Sequence, residues 1–149
     1  MPDRGPSPPV STILALDFGL RRIGVASGDT LTRSARPRGA IGNGPSGPDW
    51  PALRKHLDDV RPARLAVGEP YNADGSASAL TEKTRRFAAE LHQRCSLPVD
   101  LVDERWSSQD AEERLRAARA SGLKTRRVSA ADVDATAAAV ILERWFETH

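Results

Sequence analysis

Apolar positions recur along this chain in two rhythms. Residues 11–18, STILALDF, are apolar on both sides of an extended strand, with Ile13, Ala15 and Asp17 on one face and Leu14, Leu16 and Phe18 on the other. A run of this kind belongs in the middle of a sheet. A second strand, RIGVASGD, follows the tight GLRR turn; Gly19 permits a positive φ there, and the spacing suits a hairpin. RSARPRGAI reads as a third strand, and Pro37, which has no N–H for a ladder, places it at an edge. GNGPSGPD reads as a loop.

The period then lengthens. Asp49 opens a helix with Leu53, Leu57 and Val60 on one side, ARLAVGE is a short buried strand, and PYNADGS is an exposed turn. ALTEKTRRFAAELHQRC is a helix with Leu80, Thr84, Phe87 and Leu91 turned inward, and PVDLVDE is the fifth strand. Ser107 and Asp110 have capping-box spacing ahead of a helix, SQDAEERLRAARA, that stops at Ser121-Gly122 before the basic loop LKTRRVS. Ser129 and Asp132 repeat that spacing where the last helix begins, near Ala130. This order predicts an α/β fold: a mixed five-stranded sheet flanked by helices on both faces, with ligands at the strand ends.

Composition narrows the class. A chain of 149 residues, 39% hydrophobic and 28% charged, suits one domain with a real core. We expect that domain over residues 12–149, after a disordered tail over residues 1–11, MPDRGPSPPVS, which is rich in Pro, Gly and Ser and lacks the apolar core of a secretory signal. No apolar run approaches the roughly 20 residues that span a bilayer, so no membrane role and a cytoplasmic location are expected. Cys95 stands alone and the histidines are scattered at 56, 92 and 149, which argues against a disulfide or a Cys/His zinc site. The net charge is only +2, yet the pI near 9.1 reflects many arginines that can form local phosphate-binding patches.

The acids carry the candidate chemistry. Asp17, Glu69, Asp103 and Glu104 end or follow apolar strands, and Asp132 and Asp134 open the last helix. A carboxylate at the tip of an apolar strand is costly to desolvate unless something pairs with it. Taken singly, each is a surface charge or a helix cap. Together they suit a pair of Mg²⁺ or Mn²⁺ ions about 4 Å apart, hard cations that take oxygen ligands, activate water and stabilise the leaving oxygen of a phosphodiester. Asp132 and Asp134 do not serve the same site: two positions apart on a helix is about 200°. Asp134 shares its face with Ala138, Ile141 and Trp145, whereas Asp132 falls with Thr136 and Glu143 and closes the capping box.

Four segments, LALDFGLRRIGVASGD, LAVGEPYNADGS, VDERWSSQDAEERL and DVDATAAAVILERWFE, in this order and spacing resemble the YqgF family of pre-16S ribosomal RNA nucleases and Holliday junction resolvase-like proteins. The match runs from residue 12 to 147. The resemblance implies a ribonuclease H-like fold with metal-binding, catalytic acids at Asp17, Glu104 and Asp134, and it matches the family's Asp-Gly turn to Asp74 and Gly75. The chain departs from the family at Leu20, usually Thr or Ser, and at Glu69, usually apolar. We read Glu69 as a surface partner of Arg64 or Arg105, although related resolvases carry an acid near the end of that strand.

Cations surround these acids in sequence: Arg21, Arg22, Arg105, Lys124, Arg126 and Arg127 are the expected phosphate contacts, which position a nucleic acid without reading it. Tyr71 and Trp106 are candidates to stack on unpaired bases. The expected activity is metal-dependent hydrolysis of structured nucleic acid, with precursor 16S ribosomal RNA as substrate, by a monomer or homodimer. Two other readings stay open: a resolvase of branched DNA, and a non-catalytic nucleic-acid-binding factor in transcription or ribosome assembly.

Overall fold

The computed structural model describes residues 9–72, 74–104 and 129–149. Its elements are β1 (Thr12–Phe18), β2 (Arg22–Asp29), β3 (Ala35–Gly44), β4 (Gly47–Pro48), α1 (Trp50–Val60), β5 (Arg64–Glu69), α2 (Ala79–Cys95), β6 (Val99–Asp103) and α3 (Ala130–Thr148). The sheet order is β4-β3-β2-β1-β5-β6. β1 runs antiparallel to β2 and parallel to β5, and β6 is parallel to β5, so the sheet is mixed. Most of the expected tail and the helix expected after Ser107 lie outside the described residues.

β1 is central and two-faced, as its residue pattern predicts. Leu14 and Leu16 join Leu53 and Leu57 of α1 and Phe87 and Leu91 of α2 in one core. Ile13 and Ala15 join Ala66 and, from α3, Ile141, Leu142, Trp145 and Phe146 in a second core on the opposite face. Two differences from the sequence reading stand out. β3 continues through Gly44 and returns as the two-residue β4, so the sheet has six strands, and part of the expected GNGPSGPD loop is a hairpin turned at Gly47, where φ is +99°. Gly19 has no positive φ; it is required because a Cβ there would strike the Arg22 carbonyl to which its own N–H donates at 2.9 Å. Pro37 does sit on the stretch of β3 that pairs only with β2, beside a bulge at Val25/Ala26.

The helix ends follow local chemistry. Asp49 accepts the Ala52 N–H at 3.1 Å to start α1, Ser78 and Thr81 form a reciprocal capping box on α2, and Ser129 and Asp132 form another on α3. Within α2, Thr81 and Thr84 are buried with Phe87 and Leu91, while Leu80 is only half-buried, so the inward stripe starts one residue later than its period suggests.

On the α3 side the sheet surface beside Ile13 is rich in small residues. Ala26 meets Ala138 and Ala139, Gly28 lies under Leu142 and Phe146, and Gly68 lies under Ile141. At Gly24 a Cβ would overlap the Asp134 carbonyl oxygen. At Asp134 and Ala135, α3 therefore rests its backbone on the sheet. Gly24→Ala should force that helix end away and cost about 3 kcal/mol, the upper range for overpacking. Gly42→Ala, where a Cβ meets nothing within 4 Å, should stay within about 0.5 kcal/mol of wild type; chemical denaturation of the two variants checks the contrast.

Candidate active site

Asp17 lies near the end of β1 on the face that Ile13 and Ala15 present to α3, directly across from Gly24 on β2. Because Gly24 has no side chain, the Asp134 backbone sits above it, and Asp134 comes near enough for its charge to push the Asp17 pKa up. Glu104 arrives from the other side. It follows β6, its N–H donates to the Glu69 carbonyl at 3.1 Å, and its carboxyl occupies the space where a Cβ on Gly68 would stand. Two glycines, one on each of the strands that flank β1, thus open the volume into which the acids converge.

The electrostatics follow from that crowding. Burial raises the pKa of Asp17 and, more strongly, of Glu104, whose proton is held further by the adjacent Asp17 charge. The two carboxyls are close enough to share a hydrogen bond, and Arg144 partly offsets the effect by favouring the charged form of Glu104. The pair is a carboxyl–carboxylate dyad whose oxygens are all hard donors, suited to Mg²⁺ or Mn²⁺. Asp134 is turned onto Arg22, with its Oδ2 accepting from Nε at 2.6 Å. Among the described residues, no three acidic, histidine or cysteine side chains already close around one point.

The remaining site expectations sort by location. Asp132 is spent on the cap of α3, accepting the Ser129 N–H at 3.0 Å, so the two acids of that helix part as its geometry requires. Of the expected cations, Arg22 joins the acids, Arg21 turns to the other side of the hairpin, and Arg105, Lys124, Arg126 and Arg127, with Trp106, lie outside the described residues. The expectation for Glu69 is corrected. It is 9% exposed and points to the face opposite Asp17, where it accepts from Arg85 Nε at 2.6 Å and from the Tyr71 hydroxyl. Arg64 pairs instead with Asp100 at 2.8 Å. β5 alternation accounts for this: Ala66 and Gly68 face α3, so Glu69 cannot. Sequence reasoning missed Arg144, and it missed Gly24 and Gly68, whose signal is small residues beside an acid-tipped strand. The Asp74–Gly75 turn forms as expected, with Gly75 at φ +88° and Asp74 accepting the Ser76 N–H at 2.9 Å.

Comparison with known proteins places this geometry. The profile of the RuvX family, described as "Holliday junction resolvase", matches residues 11–148. The chain belongs to the RuvX family. The resemblance carried by its four sequence motifs is thereby borne out. A relative from Xanthomonas campestris pv. campestris (strain 8004), named "Putative pre-16S rRNA nuclease", is 46% identical over 145 residues, 97% of this chain and 93% of that protein. A relative of the same name from Xanthomonas oryzae pv. oryzae (strain PXO99A) is 45% identical over the same shares. Among solved structures, T. thermophilus RuvC in complex with Holliday junction substrate has a TM-score of 0.56 at 18% identity, covering 93% of this chain and 94% of that one. The yeast mitochondrial Holliday junction resolvase Ydc2 has a TM-score of 0.53 at 13% identity, covering 94% and 80%. The chain has the ribonuclease H-like fold of these neighbours. No helix among its described residues is long and apolar enough to cross a membrane.

The dyad makes stability depend on pH with a definite sign. Both pKa values are raised on folding, so the folded state holds protons that the unfolded chain has lost. This contribution is fully present below the ordinary carboxylate range near pH 4 and is lost as pH rises through the raised values. Glu104→Gln keeps an N–H donor for Asp17 but cannot ionise. Its melting temperature relative to wild type should therefore rise from pH 5 to pH 8.5 in metal-free buffer. A difference independent of pH would show that the two carboxyls are not coupled.

Proposed function

We propose that this RuvX chain is a metal-dependent nuclease that hydrolyses phosphodiester bonds of structured nucleic acid, with precursor 16S ribosomal RNA as its substrate. The observation that carries the reading is the convergence of Asp17, Glu104 and Asp134 around the space left by Gly24 and Gly68. Like charges are brought together at such a cost where a cation is to be held between them. Asp17, Glu104 and Asp134 are the catalytic acids of this proposal and would hold Mg²⁺ or Mn²⁺; when bound, such ions activate water and stabilise the leaving oxygen.

The chain's own groups prepare that site. Gly24 and Gly68 admit the acids, Arg144 favours ionised Glu104, and Arg22 holds Asp134 until a phosphate competes for the guanidinium. Arg21, Arg105, Lys124, Arg126 and Arg127 add backbone contacts that carry no sequence preference. The substrate assignment rests on the names of the 46%-identical relatives, while the family description makes branched DNA the second arm of any assay.

Cleavage of a precursor ribosomal RNA fragment and of a four-way DNA junction, with Mn²⁺, Mg²⁺ or chelator, tests the reading. Asp17→Asn, Glu104→Gln and Asp134→Asn should each lose at least about a hundredfold in rate, roughly 3 kcal/mol of transition-state stabilisation. Asp132→Ala should keep the rate and lose about 1 kcal/mol of stability with its cap. Glu69→Gln should likewise keep it, because that side chain lies behind the sheet. Wild-type cleavage by the Asp17→Asn protein would refute the assignment.

The basic segment has its own signature. Arg126→Ala with Arg127→Ala should weaken binding to every substrate alike and flatten the salt dependence by about one unit of slope per lost phosphate contact. An unchanged slope would return these arginines to ordinary solvated surface.

A further inference from the structure

The face of the sheet opposite the acids carries a groove of about 770 Å³. Its floor is aromatic: Phe18 packs on Phe87 with centroids 5.0 Å apart, and Trp50 stacks behind Phe87 at 5.8 Å. Leu20, 60% exposed, forms part of the lining at the tip of the β1–β2 hairpin. The β3–β4 hairpin closes the far side and is pinned to the first hairpin, Asn43 donating through its N–H to the Arg21 carbonyl at 2.8 Å and through Nδ2 to the Gly19 carbonyl at 2.6 Å. Among the described residues, Arg21, Lys83 and Arg86 line this groove with one carboxylate, that of Glu90.

We infer that this groove receives an unpaired nucleobase of the substrate, its flanking phosphates lying on Arg21, Lys83 and Arg86. The inference rests on the nuclease reading above and names a subsite for it. An apolar aromatic floor suits a base, a cationic lining suits the charges on either side of it, and the volume lies within the range of sites that enclose small ligands. Continuity with the acids selects nucleic acid over an apolar peptide. Arg22 reaches Asp134 while its neighbour Arg21 lines the groove, so a backbone lying against the acids passes over one hairpin turn to reach it. Two hydrogen bonds from Asn43 tie the hairpins on one side of the groove together, which suits a preformed stacking site.

Binding without cleavage provides the test. The full chain is titrated in EDTA against an RNA stem carrying one bulged 2-aminopurine, against the same stem with that base paired, and against both stems in DNA. Wild type should bind the bulged stem about tenfold more tightly than the paired one and quench its fluorescence. Leu20→Ser with Lys83→Ala and Arg86→Ala, at positions that are all exposed, should bring the two affinities within about twofold and abolish the quenching. Equal preference in RNA and DNA assigns the site to the base whatever its sugar, and preference in RNA alone assigns it to RNA. Absence of a bulge preference, or a preference that survives the triple variant, overturns the inference. So does self-association of wild type that the triple variant abolishes, since a second copy would then fill the groove. Mn²⁺-dependent cleavage of the precursor ribosomal RNA fragment separates the two readings: cleavage without bulge preference removes the groove alone, and bulge preference without cleavage removes the nuclease reading alone.

Discussion

The approach of α3 to the sheet governs everything else in this protein. A helix normally stands off a sheet by the depth of two layers of side chains, but Gly24, Ala26, Gly28 and Gly68 remove most of one layer beneath α3. The result is close van der Waals contact and also a short path from the Asp134 backbone to Asp17. Larger residues at Gly24 or Gly68 would separate the acids before they altered any charge. The geometry of the site is therefore a packing property first and an electrostatic one second.

Which face a carboxylate occupies then decides what it does. Asp17 and Glu69 both stand at the ends of neighbouring parallel strands, one residue out of phase with each other. Asp17 looks toward α3, meets Glu104, and is held at a raised pKa by burial and like charge. Glu69 looks toward α2, meets Arg85 and the Tyr71 hydroxyl, and its charge is answered where it lies. The same side-chain chemistry thus meets other acids on one side of the sheet and anchors the loop after β5 on the other. Thr81 fastens that loop again by donating to the Pro70 carbonyl.

Much of this was legible in the residues. The alternation of β1 carried its central, two-faced position, Pro37 carried the edge, and the angle between Asp132 and Asp134 separated cap from site, because each depends on local periodicity. The expectations that failed depend on distant contacts. Nothing in GNGPSGPD reveals that Asn43 pairs with Pro48 to add a strand, and Gly19 looks like a φ-driven glycine until the Arg22 carbonyl is seen above it. Glu69 was misplaced because its partner, Arg85, lies a helix away in sequence, and Arg144 escaped notice because its effect on Glu104 crosses from α3 to β6.

The chain order of the elements has a temporal consequence. Arg22 and Asp134 are separated by 112 residues, and α3 comes after every strand of the sheet it covers. During synthesis at roughly 5–20 residues per second, Ile13, Ala15 and Ala66 await their helix while the rest of the fold already has its strands. Pairing so remote in sequence also slows the final docking step. Ile13, Ala15 and Ala66 therefore lack the apolar cover of α3 until late in synthesis, and Asp134 reaches Asp17 only when that helix docks, so one packing event both covers the sheet face and brings these acids together.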